Sequence, residues 1–228
     1  MIIAFKSILY FLFQTGTFSP KDSKGYVHVV NVSTGRSSST FATAKAVTAC
    51  CIDPNGSSLF VADESGYITS LKLLANGTLG RSLRRNIKAV AWSLEHKVWY
   101  HQGQQDQLLL ASCNDNTAKV FTVTPVNGTA GELAPLNTLP LSSRKNPVRA
   151  KFCPLLSTSV HPCVVTGGED TNIYIYDVSR KDRKPINKLQ AHSGVVHDVD
   201  WSYDEMLLAT CDSLGMVYIW KRVLEVTI

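Results

Sequence analysis

The sequence lacks the features of a membrane-spanning protein. Its most apolar stretch, "MIIAFKSILYFLF" at residues 1–13, is too short to cross a bilayer and is interrupted by Lys6. Because this lysine falls inside the apolar run and not before it, the stretch indicates a buried strand in preference to a signal peptide. We therefore expect no contact with a membrane.

The cysteines also lack the spacing of a metal site or a redox motif. There are six, and no two are separated by two residues, the separation found in zinc sites and dithiol motifs. Each lies in or beside an apolar run, where a free thiol behaves as a small apolar side chain. Free thiols are typical of reducing compartments, so we expect an intracellular protein without a metal or cofactor.

Catalytic motifs are missing as well. The sequence has neither a Gly-x-Ser-x-Gly elbow nor a phosphate-binding glycine loop, and "TGGED" at residues 166–170 is typical of a hairpin turn. Four potential metal ligands lie close in sequence, but no further ligand has a suitable spacing: His192, His197, Asp198 and Asp200. The sequence therefore predicts a protein that is not an enzyme.

Long runs of one charge are absent. The formal net charge is only +5, and the basic residues form short groups such as "RRNIK", "SRKN" and "RKDRK". Such a balance permits an acidic partner but does not require one.

A strand pattern repeats along the chain. "YVHVVNVSTG" at residues 26–35 has a near copy in "NIYIYDVSRK" at residues 172–181, each an alternating strand followed by a turn. Aligning such strands places one residue in an equivalent position five times, with gaps of 41, 50, 55 and 44 residues: Val30, Leu71, Phe121, Tyr176 and Trp220. Two apolar strands precede this position and a weaker one follows it. No window has a sustained helical period, so the unit is a four-stranded sheet.

Such a sheet has apolar residues on both faces and cannot bury both by itself. It must therefore stack on copies of itself. Radial stacking of twisted sheets produces a propeller, which also protects the strand edges. We expect an all-β protein built in this way.

The last unit, "AHSGVVHDVDWSYDEMLLATCDSLGMVYIWK", resembles the WD40-repeat family, whose units have Gly-His and Trp-Asp about thirty residues apart. Here Ala191-His192 and Trp220-Lys221 take these positions, and the preceding unit ends in Tyr176-Asp177. The resemblance extends over essentially the whole chain after about residue 8.

The resemblance implies an incomplete β-propeller with four complete blades and a partial one. The expected boundaries are residues 8–42 for the partial first blade, then 43–84, 85–141, 142–190 and 191–228. Propellers of the family usually have seven blades, so we predict a C-terminal portion of a larger propeller. Such a portion would associate with itself through an apolar flank at its first blade.

The resemblance also implies a buried network of His, Ser or Thr, Asp and Trp within each blade. The matching residues are His192, Thr210 and Trp220 in the last unit, Thr166 and Asp170 in the preceding unit, and Asp115 in the unit before that. Leu214 occupies the Asp position of the last unit, so we expect no unit to have the full network. Asp115 and Asp170 are expected to organise hairpin turns.

The implied function is that of a non-catalytic scaffold that binds other proteins through its loop rims. Candidate binding residues are two basic pairs expected on loops of one rim, suited to an acidic or phosphorylated peptide: Arg84, Arg85, Arg144 and Lys145. The alternative is association with nucleic acid or chromatin through the same rim. Aromatic residues do not alternate with these basic pairs, so nucleic acid is not expected as a direct ligand. Residues 26–222 also resemble one family member with a nuclear, regulatory setting, which favours the nucleus over the cytoplasm.

Overall fold

The computed structural model describes residues 10–15, 24–101, 104–126, 130–142, 147–154 and 161–221. Within these ranges the chain forms β-strands joined by turns and contains no helix. The expectation of an all-β protein is therefore confirmed.

The strands form five antiparallel sheets that follow one another along the chain, and we number them 1 to 5. Sheet 1 consists of β1 (Tyr10–Thr15), β2 (Tyr26–Asn31) and β3 (Arg36–Ala42). Sheet 2 consists of β4 (Val47–Ile52), β5 (Ser58–Asp63), β6 (Tyr67–Leu73) and β7 (Leu79–Asn86). Sheet 3 consists of β8 (Ala91–His101), β9 (Gln104–Cys113), β10 (Thr117–Thr124) and β11 (Glu132–Pro140).

Sheets 4 and 5 continue the same plan. Sheet 4 consists of β12 (Ala150–Phe152), β13 (Cys163–Thr166), β14 (Asn172–Asp177) and β15 (Pro185–Gln190). Sheet 5 consists of β16 (Val196–Trp201), β17 (Leu207–Asp212) and β18 (Val217–Lys221). In every sheet each strand pairs with the next strand in sequence. In the part of the chain that the structure describes, sheets 1 and 5 have three strands and the others have four. Residues 222–228, which the sequence places in the last blade, lie outside that part.

The apolar core lies between neighbouring sheets. Each interface contains buried side chains from both of its sheets: Val27, Val29, Leu59 and Val61 between sheets 1 and 2, Phe60, Ile68, Leu109 and Phe121 between sheets 2 and 3, Leu110, Val120, Phe152 and Val164 between sheets 3 and 4, and Val165, Ile173, Val199 and Leu208 between sheets 4 and 5. The faces are therefore buried by stacking, as the repeat requires.

The repeated position identified in the sequence faces the preceding sheet. Phe121 of sheet 3 packs with Phe60 of sheet 2, and Tyr176 of sheet 4 packs with Leu110 of sheet 3. In sheets 2 to 5 the side chain at this position thus packs against the sheet before it.

The turns between second and third strands lie beside the connections that link one sheet to the next. The amide of Ile87 donates to the carbonyl of Gly66 at 2.9 Å, and that of Asn114 donates to the carbonyl of Val90 at 2.9 Å. Gly66 has a φ of 77°, and a Cβ there would lie 3.2 Å from the carbonyl oxygen of Ala89. A side chain is therefore disfavoured at this turn. These turns and connections together form one edge of the stack, which we call the turn rim.

Truncating a core side chain between two sheets should destabilise the protein strongly. Leu109 is fully buried between sheets 2 and 3. We expect Leu109→Ala to lower the free energy of unfolding by about 2–5 kcal/mol, because it removes buried methyl groups and leaves a cavity. Urea unfolding followed by circular dichroism measures this change. Leu136→Ala is the matched control, since Leu136 lies in the same sheet and is 48% exposed. Equal losses in the two variants would contradict this assignment of the core.

Candidate functional site

The first strands of sheets 2 to 5 line a cavity along the inner side of the stack. Its volume is about 450 Å³, and its walls come from β4, β8, the segment leading into and including β12, and β16. The polar and aromatic side chains of its lining include Trp92, Glu95, Arg149, Lys151, Asp198 and Asp200. Among the described residues, this cavity is a concave surface of a size that can hold part of a ligand.

A row of alternating charge crosses the cavity from sheet to sheet. Glu95, Lys151 and Asp200 occupy equivalent register positions in β8, β12 and β16, opposite Leu110, Val165 and Ala209 respectively. The ammonium of Lys151 lies 4.0 Å from a carboxylate oxygen of Glu95 and 3.3 Å from one of Asp200. The lysine therefore connects three consecutive sheets at one level.

Glu95 is the most perturbed acid of this row. Its Oε2 accepts a hydrogen bond from the backbone N–H of Phe152 at 2.6 Å. Burial raises the pKa of Glu95, although Lys151 and the N–H of Phe152 act in the opposite direction. This carboxylate thus joins β8 to the first strand of the next sheet.

Two further cations reach across the sheets. Arg149 bonds to Asp198 with a distance of 2.7 Å between Nη1 and Oδ2. Lys97 donates to the carbonyl of Cys153 at 2.9 Å and lies 3.6 Å from the carboxylate of Glu205 in the turn after β16. The inner side of the stack is therefore held by paired charges of both signs.

Trp92 is the large aromatic side chain at this cavity. It is 42% exposed and lies near the start of β8, beside the turn rim. An exposed indole flanked by charged groups can contact both apolar and cationic groups of a ligand. The side chains at this cavity can therefore supply both charged hydrogen-bonding groups and an apolar aromatic surface.

The sequence analysis missed these cavity residues. Their signal was present in "AWSLEHKVW", "VRAKF" and "VHDVDW", where charged residues alternate with apolar ones in strands expected to be buried on both faces. The contacts between these residues depend on how neighbouring sheets are aligned with one another. The sequence of a single strand does not reveal this alignment.

The structure describes only one pair of the predicted basic rim. Arg84 and Arg85 lie in strand β7 and not in a loop, so that expectation was wrong. Arg84 bonds to Asp63 at 3.3 Å, and its guanidinium carbon lies 3.7 Å from the centre of the Tyr67 ring. Arg85 is half-buried. Arg144 and Lys145 lie outside the described residues.

The last sheet holds a continuous buried network. The Nδ1 of His192 lies 2.8 Å from Asp212 Oδ2, and its Nε2 lies 2.7 Å from Thr210 Oγ1. Because a carboxylate can only accept, Nδ1 carries the proton in the hydrogen bond to Asp212. The indole N–H of Trp220 donates to Thr210 Oγ1 at 2.9 Å. His, Thr, Asp and Trp are thus all present, and the expectation that no unit has the full set was wrong.

The acid of this network is Asp212, where the sequence analysis assigned the position to Leu214. Burial opposes ionisation of Asp212, but hydrogen bonds from His192 and from the amides of Met216 and Leu214 outweigh it and keep the pKa below its ordinary value. The same carboxylate therefore holds the imidazole and the turn.

The other predicted network residues make local contacts. The hydroxyl of Thr166 donates to the carbonyl of Gly167 at 3.0 Å. Asp170 accepts the hydroxyl of Tyr174. Asp115 accepts the hydroxyl of Thr117 at 2.5 Å and pairs with Lys119 at 2.8 Å. Among the described residues, Asp170 and Asp115 thus lie at turns without a bonded histidine.

In the part of the chain that the structure describes, no group of His, Cys, Asp and Glu is arranged to hold a metal ion. No helix among the described residues is long and apolar enough to span a membrane. Five of the six cysteines are buried.

Comparison with known proteins agrees with this architecture. The chain is similar to the β-propeller domain of Cps50 (Swd1) from Myceliophteria thermophila, with a TM-score of 0.69 over 100% of this chain. The fold is that of a β-propeller. At 11% identity the similarity shows the fold alone, and the chain spans 65% of the length of that structure.

One repeat of the propeller matches a sequence family. Residues 183–221 match the family described as "WD domain, G-beta repeat". This segment begins just before β15, the last strand of sheet 4, and ends with β18 of sheet 5. This repeat is thus offset by one strand from the structural sheet, so it contains strands of two neighbouring sheets.

Removing the hydroxyl at the centre of the network should destabilise the propeller. Thr210→Val leaves His192 Nε2 and the Trp220 indole N–H without their partner. We expect the free energy of unfolding to fall by about 2–4 kcal/mol, because two buried polar groups lose a hydrogen bond. Chemical unfolding monitored by tryptophan fluorescence measures the loss. Thr122→Val, at a half-exposed strand position, is the control and should change stability by less than about 0.5 kcal/mol. A Thr210→Val loss no larger than the control's would show that the network contributes little.

Stability should depend on pH through Glu95. Its pKa is raised in the folded protein, so ionising it is harder there than in the unfolded chain. As the pH rises from about 4, where a free Glu titrates, the wild type should therefore lose stability relative to Glu95→Gln. The amide oxygen of glutamine can still accept the N–H of Phe152. Urea unfolding at several pH values tests this, with Glu132→Gln on the exposed surface as the control. A pH-independent difference would disprove the raised pKa.

Proposed function

We propose that this protein is a non-catalytic scaffold that binds other proteins at the turn rim and at the adjoining mouth of the cavity. WD-type propellers generally hold protein partners, which supports this class of function. The observation that carries the proposal is the exposed indole of Trp92 beside paired charges at the cavity. Aromatic and arginine side chains are enriched where proteins bind tightly.

The partner we propose is an acidic or phosphorylated peptide. The candidate cations are Arg84, Arg85, Arg144 and Lys145, as the sequence suggests. Arg84 pairs with Asp63, and we add Arg149, which pairs with Asp198 but whose side chain is 58% exposed at the cavity. A peptide lying between the basic pairs and Trp92 would combine charge-assisted hydrogen bonds with apolar contact.

The setting we propose is the nucleus. Residues 26–222 resemble the C-terminal half of WD repeat-containing protein 13 in "HVVNVSTG", "FCPL", "CVVTGGED", "NKLQAH" and "DEMLLATCDSLGMV". The resemblance implies a nuclear, regulatory role. The cysteines lack the spacing of a metal site or redox motif and lie in or beside apolar runs, which supports a reducing compartment.

Charge reversal at the rim should abolish partner binding. We expect the variant with Glu at Arg84, Arg85, Arg144 and Lys145 to lose most of the proteins that the tagged wild type recovers from nuclear extract. Trp92→Ala should lose the same proteins, because it removes apolar contact without altering charge. Quantitative mass spectrometry of the recovered proteins measures both losses, and circular dichroism checks that each variant is folded.

The matched control reverses charge on the opposite edge of the stack. Lys181 and Lys184 are exposed in the connection between β14 and β15, so Lys181→Glu with Lys184→Glu should leave recovery unchanged. Unchanged recovery by both rim variants would end the proposal. Steeply salt-dependent binding to duplex DNA, lost in the charge-reversed rim variant and retained by Trp92→Ala, would instead support the nucleic-acid alternative.

A further inference from the structure

Two cysteines that are ten residues apart in the sequence lie directly opposite one another in sheet 4. Strands β12 and β13 are antiparallel, with Phe152 opposite Val164, and the next pair in this register is Cys153 with Cys163. The backbone N–H of Cys153 donates to the carbonyl of Cys163 at 2.8 Å, so the pairing continues to this position. Sequence spacing did not indicate the pair, because the contact is made between two strands.

The side chains of these two cysteines lie on the same face of the sheet. Cys153 and Cys163 belong to the cluster between sheets 4 and 5, where they are 5% and 4% exposed. Directly opposite residues of an antiparallel pair have Cα atoms about 4.5–5.5 Å apart. Disulfides join Cα atoms about 4.4–6.8 Å apart, so the backbone already has the separation that an S–S bond requires.

No other cysteine in the described strand pairs has a cysteine opposite it. Cys50 and Cys51 are consecutive and point to opposite faces, one towards sheet 1 and the other towards sheet 3. Cys113 lies opposite Ala91, and burial raises the pKa of its thiol to about 12, which makes it a poor nucleophile. The strand pairing therefore singles out Cys153 and Cys163.

The pair lies where a small reagent can reach it. It is at the end of β12 and β13, on the edge of the stack opposite the turn rim, and the nearby His161 is exposed. The ends of strands open more readily than their centres. A thiol of this pair thus becomes accessible through local opening at the strand ends, without unfolding of the whole stack.

We propose that Cys153 and Cys163 are a thiol switch that forms a reversible disulfide by exchange with a small-molecule disulfide such as oxidised glutathione. The thiolate of one cysteine attacks a sulfur of oxidised glutathione, which breaks that S–S bond and releases one glutathione thiolate. The thiolate of the other cysteine attacks the protein sulfur of the mixed disulfide, forms the Cys153–Cys163 bond and releases the second glutathione thiolate. The two protein protons pass to these thiolates, so the protein loses two electrons and oxidised glutathione gains them.

The bond joins β12 to β13 beside the inner charges of the stack. Lys151, which pairs with Glu95 and Asp200, lies two residues before Cys153. Lys97 of sheet 3 donates to the carbonyl of Cys153 at 2.9 Å. Oxidation therefore acts where sheets 3, 4 and 5 meet. A reducing compartment keeps the pair as thiols, and the bond forms when the glutathione pool becomes oxidised. This inference does not rest on the scaffold function.

Alkylation followed by peptide mass analysis of the full chain tests the switch. Trypsin should release residues 152–180 as one peptide, because Lys151 and Arg180 bound it, and Cys153 and Cys163 are its only cysteines. After equilibration with oxidised glutathione and alkylation in denaturant, we expect this peptide to carry no alkyl group and to be two hydrogen atoms lighter than the reduced peptide. Excess reduced glutathione should restore alkylation at both cysteines.

The dependence on glutathione concentration distinguishes the protein disulfide from a glutathione adduct. Diluting both forms of glutathione about tenfold at a fixed ratio should raise the ratio of oxidised to reduced protein about tenfold, because closing the bond releases two glutathione molecules. Forming an adduct on one cysteine releases a single glutathione molecule, so the adduct level would not change on dilution.

Two variants complete the experiment, and circular dichroism checks that both are folded. Cys163→Ala should stop at a glutathione adduct on Cys153. Cys113→Ala is the matched control, because Cys113 is also buried but lies opposite Ala91, and it should form the disulfide as the wild type does. Full alkylation of peptide 152–180 after oxidation of the wild type would overturn the proposal. So would a wild-type adduct whose level does not respond to dilution, because the second thiol would then fail to close the bond.

Discussion

The structure depends on the burial of each sheet face by the neighbouring sheet. Successive residues of one strand point to opposite faces, so a strand that is apolar at every position needs a neighbour on both sides. In β13, Val164 packs against sheet 3 and the adjacent Val165 packs against sheet 5. No single sheet of this chain could therefore be stable alone, and the stack folds as one arrangement of dependent layers.

Polar contacts add specificity to this stacking. The ion pairs from Glu95 through Lys151 to Asp200 fix how β8, β12 and β16 are aligned along the strand direction. Within sheet 5, the network from Asp212 through His192 and Thr210 to Trp220 ties a connection, a turn and two strands together. Apolar contact alone would allow the layers to slide, whereas paired charges and hydrogen bonds favour one register. The same inner charges border the cavity, so the features that position the sheets also shape the candidate binding surface.

Much of the fold could be predicted from the sequence because a β-strand has a short period. The alternation around Leu71, Phe121 and Tyr176 indicated which strands repeat, and these residues are buried against the preceding sheet as the stacking argument requires. The network acid was misassigned because it was counted back from Trp220 by a fixed number of residues. Asp212 precedes a turn with a glycine at a φ of 81°, and the carboxylate reaches His192 from a position two residues earlier than expected.

The sequence by itself determined the strands, the turns and the need to stack, because these follow from the residue types within one unit. Only the tertiary structure decided which charges meet at the cavity and that Arg84 is held by Asp63. These features join residues from different strands or sheets. The distances that create them are set by the packing between sheets, which local sequence does not encode.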